Sequence, residues 1–331
     1  WVFYADGTNI VYKTSTDGAE WGDSVVVRAC TTGYHFSLWF DETYVHYAYG
    51  PQSPNTPIYY CRGAPFSNGS ITWSAEQTAV EAQENCGYYT PYVCVDSEGC
   101  PWIAYRLLHS PHSYAYVTKS SANDSTWTTA SGFPHQVSTT DYSIASVTPL
   151  TSHKIIAVYS TSGSPIKARL WNGSSWGEEE NCTTSNCYQH IGQSVVNEGD
   201  DVHLAFHTTT PYAGQYAIKC VKRIYGIGWG TEVTVQTNVT QTSCPVLSTS
   251  GMTLYCFWVG SPTANHVYYK KCVAGVWDSN PTDWMTRTYY APNYDITCYY
   301  KSYGNHIGLV YLMKDTSPYL IGHNYLNITN E

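Results

Sequence analysis

One short pattern recurs seven times along the chain and constrains its fold more than any other feature. Each copy begins with an apolar or aromatic residue and ends on an aromatic residue, and successive copies start 44 to 57 residues apart. Short alternating apolar segments are typical of β-strands, and a period of this length is typical of repeat architectures. The seven copies are Trp1–Tyr4, Val45–Tyr49, Trp102–Tyr105, Ile155–Tyr159, Val202–Phe206, Leu254–Trp258 and Ile307–Tyr311.

Each copy belongs to a unit of four short strands. A second strand follows it and ends in a turn such as Asp17-Gly18 or Asn68-Gly69, which is a strong hairpin signal. A further strand precedes most copies, as in Tyr92–Val95, and a weaker one follows the turn. In six repeats the turn is followed by a tryptophan, at Trp21, Trp73, Trp127, Trp176, Trp229 and Trp277.

These repeats predict an all-β chain, a β-propeller of four-stranded blades in which residues 1–331 form a single domain of about 50-residue repeats. Seven blades fit the seven copies, and six are the alternative. In a six-bladed ring, residues 295–304 would supply the missing inner strand of the first blade and free 307–326 as a hairpin. A pair of β-sandwiches would explain the even spacing but not the recurring tryptophan.

Composition narrows the possible partners. Charged residues make up 12% of the chain, the formal net charge is −9, and tyrosine occurs 32 times. No basic stripe is present, which argues against nucleic acid as a partner. No apolar run approaches the roughly 18 residues of a membrane span. Because the chain begins at Trp1 without a methionine or a signal-peptide pattern, we expect a processed product.

Cysteines and glycosylation sequons both predict a secreted or cell-surface location. The 12 cysteines form no C-x-x-C pair, so they favour disulfides over metal binding. We expect local disulfides between Cys94 and Cys100 and between Cys182 and Cys187, and a link between Cys30 and Cys86. N-x-S/T sequons, the acceptor pattern for N-glycosylation, occur at Asn68, Asn123, Asn172, Asn181, Asn238 and Asn327.

Two segments resemble the sialidase-like propellers that carry Asp-box (BNR) hairpins. Residues 87–105 look like one repeat of that family, and Ser15-Thr-Asp17-Gly-Ala-Glu-Trp21 looks like an Asp box that is one residue short. The resemblance implies that Asp17 is a structural turn residue. It also implies that a catalytic member needs an arginine triad, a Tyr–Glu nucleophile pair and an acidic group. The six arginines do not match that triad, because five lie on predicted outer strands and only Arg106 follows an inner one. We therefore predict a degenerate, non-catalytic member.

Other catalytic or metal-binding chemistry is not indicated. Asp41 and Asp96 could serve as a carboxylate pair for glycoside hydrolysis, but both fall in turns, where aspartate is favoured for local hydrogen bonding. The closest histidine pair, His109 and His112, has no neighbouring ligand set of the kind that holds zinc. We expect neither a metal nor a cofactor.

A candidate ligand-binding surface lies in the loops that follow the recurring strands. Six of these loops contain Ser-Pro or Thr-Pro, which is typical of rigid turns. They are expected to crowd one face and present hydroxyl and aromatic groups suited to contact with sugars or proteins. The predicted ligand-binding residues are Arg106, His109, Tyr114, His207 and Tyr212.

The first and last repeats are incomplete, since the first lacks its leading strand and the last its outer strand. Unpaired strand edges can pair with another chain. We therefore predict a non-catalytic extracellular glycoprotein with a structural or adhesive role, whose partner is itself, as a homopolymer through the terminal blades, or a glycan. A glycan-binding, lectin-like propeller is the alternative, and a sialidase-like glycoside hydrolase is the second.

Overall fold

A computed structural model describes residues 1–30, 35–51, 53–188, 193–209, 216–239, 244–286, 296–314 and 320–328. These residues form strands and turns and include no helix. The described part of the chain therefore has no helix that is long and apolar enough to cross a membrane. The strands pair into seven antiparallel sheets. The predicted all-β class and the count of seven blades are confirmed.

The first four sheets follow the chain in order. Sheet 1 contains β1 (Val2–Ala5), β2 (Asn9–Lys13) and β3 (Val25–Ala29). Sheet 2 contains β4 (His35–Phe40), β5 (Val45–Gly50), β6 (Ile58–Pro65), β7 (Ile71–Trp73) and β8 (Gln77–Val80). Sheet 3 contains β9 (Cys86–Val95), β10 (Pro101–His109), β11 (His112–Lys119) and β12 (His135–Gln136). Sheet 4 contains β13 (Ile144–Pro149), β14 (Ile155–Ser160), β15 (Pro165–Trp171) and β16 (Glu180–Asn186).

Three further sheets follow in the same order. Sheet 5 contains β17 (Gln193–Glu198), β18 (Asp201–His207), β19 (Tyr216–Ile224), β20 (Gly228–Trp229) and β21 (Val233–Val239). Sheet 6 contains β22 (Val246–Ser250), β23 (Thr253–Val259), β24 (His266–Val273), β25 (Val276–Trp277) and β26 (Thr282–Thr286). Sheet 7 contains β27 (Ile296–Cys298), β28 (His306–Lys314) and β29 (Leu320–Asn327).

The outer edge of sheets 2, 5 and 6 is built from two strands that pair with the same neighbouring strand. In sheet 2, β7 pairs with the end of β6 near Gly63, and β8 pairs with its beginning near Ile58. Sheets 2 to 6 are therefore four strands wide, whereas the described residues of sheets 1 and 7 form three strands. Because β27 pairs with β28, Ile296–Cys298 belongs to sheet 7. The six-bladed alternative, which assigned this segment to the first blade, is wrong.

The backbone contacts divide the chain into two compact units. Unit 1 comprises residues 1–161 and 168–179, and unit 2 comprises 162–167 and 180–331, so that the division crosses sheet 4. The prediction of a single domain over 1–331 stays a prediction. Each unit has its own buried clusters between neighbouring sheets.

Two of the recurring tryptophans of unit 1, Trp127 and Trp176, pack against the sheet that precedes their own. Trp127 of the third repeat contacts Tyr60 of sheet 2 with ring centroids 5.3 Å apart. Trp176 of the fourth repeat contacts Trp102 of sheet 3 at 6.2 Å. Aromatic contacts of this kind add stabilisation beyond the buried area, which explains why a tryptophan recurs after the same turn.

Candidate functional site

A groove in unit 1 runs along one face of sheet 3, beside the hairpin of β10 and β11. Successive side chains of a strand point to opposite faces, and the register pairs Tyr105 with Tyr116 and His109 with His112. One face of the hairpin therefore carries a row of rings with one leucine between them. The row consists of Tyr105, Leu107, His109, His112, Tyr114 and Tyr116, and Tyr88 of β9 joins it opposite Leu107.

The outer strand of sheet 2 forms the second wall. Ala79 and Val80 of β8 are buried against Tyr88 and Tyr105, so this end of the row is closed. The cavity between the two walls has a volume of about 900 Å³, and the Ser110-Pro111 loop is part of its lining. The polar lining comes from both walls and includes Thr78, Glu81, Gln83, Ser110, Thr129 and Gln136.

The rings of the groove are held in fixed positions. Tyr88 and Tyr105 meet edge to face at 5.5 Å, and Tyr105 stacks on Tyr116 at 5.9 Å. The Tyr88 hydroxyl donates to the carbonyl oxygen of Glu81 at 2.8 Å, and the Tyr116 hydroxyl donates to Gln136 Oε1 at 3.0 Å. These contacts make the groove a preformed surface, as small-ligand sites usually are.

The open end is fixed by Asp141. Its carboxylate accepts hydrogen bonds from the backbone N–H of Ser113 and from His112 Nδ1, each at 2.7 Å. These two bonds, the backbone one first, lower the pKa of Asp141 below its usual value. His112 in turn stacks on Tyr114 at 6.1 Å with the rings 18° apart. A flat pair of rings is therefore presented at the mouth of the groove.

The groove is nearly free of formal charge. Among the described lining residues Glu81 is the single carboxylate, His109 and His112 are imidazoles, and no lysine or arginine is present. Burial raises the pKa of Tyr88 to about 12 and also raises that of Tyr105. The tyrosine hydroxyls therefore remain neutral at physiological pH.

The structure brings together two of the five predicted ligand-binding residues. His109 and Tyr114 line the groove. Arg106 points to the opposite face of β10 and lies over the Tyr89 ring at 4.7 Å; burial lowers its pKa, and its Nε has no hydrogen-bond partner among the described residues. His207 belongs to unit 2 and is completely buried beside Tyr216. Tyr212 lies outside the described residues.

The groove also contains residues that the sequence analysis did not select. Glu81, Tyr88, Tyr105 and Tyr116 are lining residues. The sequence contains a signal for the two hairpin tyrosines, Tyr105 and Tyr116. Every second residue on either side of the two-residue turn belongs to the same face, which gives positions 105, 107 and 109 on one strand and 112, 114 and 116 on the other. Glu81 carried no local signal, since it reaches the groove only through the packing of sheet 2 on sheet 3.

The turn aspartates are structural, as expected. Asp41 accepts hydrogen bonds from the backbone N–H groups of Thr43 and Tyr44 and from His46. Asp17 accepts them from the N–H groups of Ala19 and Glu20, which is the local turn that the Asp-box resemblance implied.

One cluster of possible metal ligands occurs in the described residues, and it does not fit a metal well. Asp96, Glu98 and His153 place ligand atoms within 4.8 Å of one another. The Asp96 carboxylate, however, already accepts hydrogen bonds from three N–H groups, and Lys119 Nζ lies 3.3 Å from it. A bound cation would have to displace this ammonium group.

The described residues of unit 1 include two tyrosine–glutamate pairs. The Tyr47 hydroxyl donates to Glu76 at 2.7 Å, and the Tyr159 hydroxyl donates to Glu179 at 2.8 Å. Burial, followed by smaller effects that include the neighbouring carboxylate, raises the pKa of both phenols. Glu76 is also paired with Arg28. Both pairs link a strand inside a sheet, β5 or β14, to the residue just before a later strand of that sheet, β8 or β16.

The structure contains no disulfide, and all twelve cysteines lie in its described part. Cys30 is buried in a cluster with Tyr47 and Cys61, whereas Cys86 lines the groove opposite His109. Cys94 lies directly opposite Trp102 in the β9–β10 ladder. The predicted links Cys94–Cys100, Cys182–Cys187 and Cys30–Cys86 are thus not formed in this structure, and they stay predictions for non-reducing peptide mapping.

No protein-family model and no curated protein sequence matches the chain. Solved structures do match. A polysaccharide lyase, the PL25 ulvan lyase bound to -[GlcA(1-4)Rha3S]-, is 12% identical with a TM-score of 0.61 and covers 97% of this chain and 87% of its own. The NanB sialidase from Streptococcus pneumoniae is 10% identical with a TM-score of 0.52, covering 90% and 69%.

A lectin is also similar. The Aleuria aurantia lectin in complex with α-methyl-L-fucoside is 14% identical with a TM-score of 0.51, covering 91% of this chain and 98% of its own. At such identities the likeness shows the fold alone. The chain has the β-propeller fold that sialidases, a lyase and a lectin share, and the predicted resemblance to sialidase-like propellers is confirmed at that level.

Proposed function

We propose that this protein binds carbohydrate in the groove between sheets 2 and 3 and does not turn it over. The observation that carries the proposal is the preformed row of rings beside a cavity of about 900 Å³. A sugar ring has apolar C–H faces and a rim of hydroxyls. Aromatic walls with a few fixed polar groups match both features.

The polar groups of the groove suit hydroxyl recognition. Glu81 and Gln83 are exposed on one wall, and Gln136 lies on the other. The Glu81 carboxylate makes no hydrogen bond or ion pair with the described residues, so it can accept from ligand hydroxyls. Support for glycans as the ligand class also comes from the similar lectin, which is described in complex with α-methyl-L-fucoside.

The number of carboxylates in the described lining supports binding without hydrolysis. Glycoside hydrolysis uses two carboxyl groups that flank the scissile bond, and Glu81 is the single carboxylate among the described lining residues. An extracellular setting fits this role, because all six sequon asparagines are exposed. Their use as glycosylation sites remains part of the proposal.

Replacing Tyr114 by alanine should weaken glycan binding about tenfold, because the stacked pair with His112 would be lost. The measurement is a glycan array to find the ligand, followed by titration calorimetry with the best binder. Tyr303→Ala is the matched control, since Tyr303 is 80% exposed and lies in unit 2. Equal binding by both variants would contradict the site, and an array without any bound glycan would contradict the function.

A second candidate role, self-assembly, rests on the edge of sheet 7. Strand β29 pairs with β28 on one side, and no other described strand pairs with it. Its Leu320, Ile321 and Tyr325 are exposed apolar residues. An edge of this kind can receive a strand from another copy of the chain.

Ile321→Lys should keep the chain monomeric if this edge mediates assembly, because a lysine on an edge strand opposes pairing. Analytical ultracentrifugation over a range of concentrations tests this, with Val276→Lys, which alters an exposed valine on β25, as the control. A wild-type chain that sediments as a monomer at every concentration would remove the assembly role.

A further inference from the structure

The charge pattern of the groove carries an inference about the class of glycan, which rests on the proposed function. We infer that the groove selects neutral glycans and that Glu81 enforces this selection by excluding acidic ones. Acidic sugars carry carboxylate or sulfate groups, which proteins bind with guanidinium or ammonium groups. The described lining offers neither.

The position of Glu81 makes its charge effective. Its backbone carbonyl is fixed by the Tyr88 hydroxyl at 2.8 Å, which places the residue at the edge of the cavity, across from the hairpin that carries Tyr114. The carboxylate has no cationic partner among the described residues that would neutralise it. An anionic group in the groove would therefore face a like charge at short range, and the interaction is screened only by water and salt.

Arg106 and Lys119 do not compensate for this charge. Arg106 lies on the same strand as His109 but points to the opposite face of β10, where it stacks on Tyr89. Lys119, at the far end of β11, is paired with Asp96. The formal net charge of −9 adds a general repulsion of polyanions.

A ligand hydroxyl, by contrast, suits the same carboxylate. An ionised carboxylate accepts hydrogen bonds and donates none, so two neighbouring sugar hydroxyls can both donate to it. Gln83 and Gln136 can donate or accept, and the tyrosine rings cover the apolar face. Glu81 thus acts as an acceptor for neutral sugars and as a barrier to acidic ones.

The test is an array of defined neutral oligosaccharides, each printed beside its uronate, sialylated or sulfated counterpart. Binding to the array is measured for wild type, Glu81→Lys and Glu20→Lys. Glu20 is an exposed glutamate of the turn before Trp21 and serves as the charge-matched control. Wild type should bind the neutral member of a pair at least about tenfold more tightly. Glu81→Lys should reverse or abolish this preference, and Glu20→Lys should leave it unchanged. Circular dichroism of each variant confirms that the fold is retained.

The outcomes separate the inference from the proposed function. Binding of acidic members by wild type that is as tight as that of neutral members, and is lost in Tyr114→Ala, would overturn the inference and leave the function standing. An equal effect of Glu81→Lys and Glu20→Lys would also overturn it. No binding of any member would overturn both.

Discussion

Replacing Asp96 by alanine is expected to lower the free energy of unfolding by about 3–5 kcal/mol. Asp96 lies in the turn between β9 and β10, and its side chain is completely buried. Oδ1 accepts from the backbone N–H groups of Glu98 and Cys100 at 3.0 Å each, and Oδ2 accepts from Trp102 Nε1 at 2.9 Å. Lys119 supplies the compensating charge at 3.3 Å.

The large loss of stability is expected because Asp96→Ala leaves buried polar groups without a hydrogen-bond partner. Without the carboxylate, a mostly buried ammonium and the indole N–H of Trp102 lose their partner, and buried unpaired groups are costly. Asp96→Asn should recover part of the loss because it keeps one acceptor. Asp17→Ala is the control, since Asp17 accepts similar turn hydrogen bonds in an exposed position, and its effect should be much smaller. Urea unfolding followed by tryptophan fluorescence measures all three; a loss below about 1 kcal/mol for Asp96→Ala would refute this account.

The repeat of strands was predictable because its signals are local. All seven recurring segments form strands, from β1 to β28, at the positions where the alternation placed them. Trp102 is an example: the residues next to it in sequence predict a β-strand, and it is buried because it lies on the apolar face of that strand. The splitting of an outer strand into β7 and β8 was not predictable, because it depends on which part of β6 each of the two strands pairs with.

The groove was predictable only in part. His109 and Tyr114 were selected for their place around the Ser110-Pro111 loop, and both line the cavity. Arg106 was selected with them, but it is three residues from His109 on one strand and therefore faces the other side. Glu81 comes from another sheet, and its contribution depends on the packing of β8 against sheet 3, a contact that no local pattern specifies.

Charged residues that connect neighbouring sheets were likewise not predictable from local sequence signals. Arg223 lies on β19 and forms two hydrogen bonds of 2.7 Å with Glu180 of β16. Neither residue differs in sequence context from an ordinary surface charge. Only the packing of β16 against sheet 5, both within unit 2, shows that the pair is largely withdrawn from water.

Glu232, just before β21, forms the most extensive of these connections, and replacing it by glutamine should destabilise the protein by about 2–3 kcal/mol at neutral pH. Its carboxylate accepts from Lys219 Nζ at 2.8 Å and from the backbone N–H groups of Thr184 and Ser185 at 2.6 and 2.8 Å. Both hydroxyls of those β16 residues also donate to it. Glutamine keeps one acceptor oxygen but loses the charge that Lys219 pairs with.

The loss of stability in Glu232→Gln should decrease as the pH falls. Burial by itself would raise the pKa of Glu232, but the bonds from Lys219, Ser185 and Thr184 outweigh it and lower the pKa from 4.5 to about 2. A carboxyl group whose pKa is lower in the folded state stabilises that state above its unfolded pKa and loses this contribution as the pH falls through the folded value. The difference in unfolding free energy between wild type and Glu232→Gln should therefore be constant above about pH 5 and shrink towards pH 2. Urea unfolding at pH 7, 5, 4 and 3 would measure it, with Glu20→Gln, a substitution at an exposed position, as the control. If the difference in unfolding free energy stays constant down to pH 3, the charge of Glu232 contributes nothing to stability. Hydrogen bonds alone would then hold β16 to sheet 5.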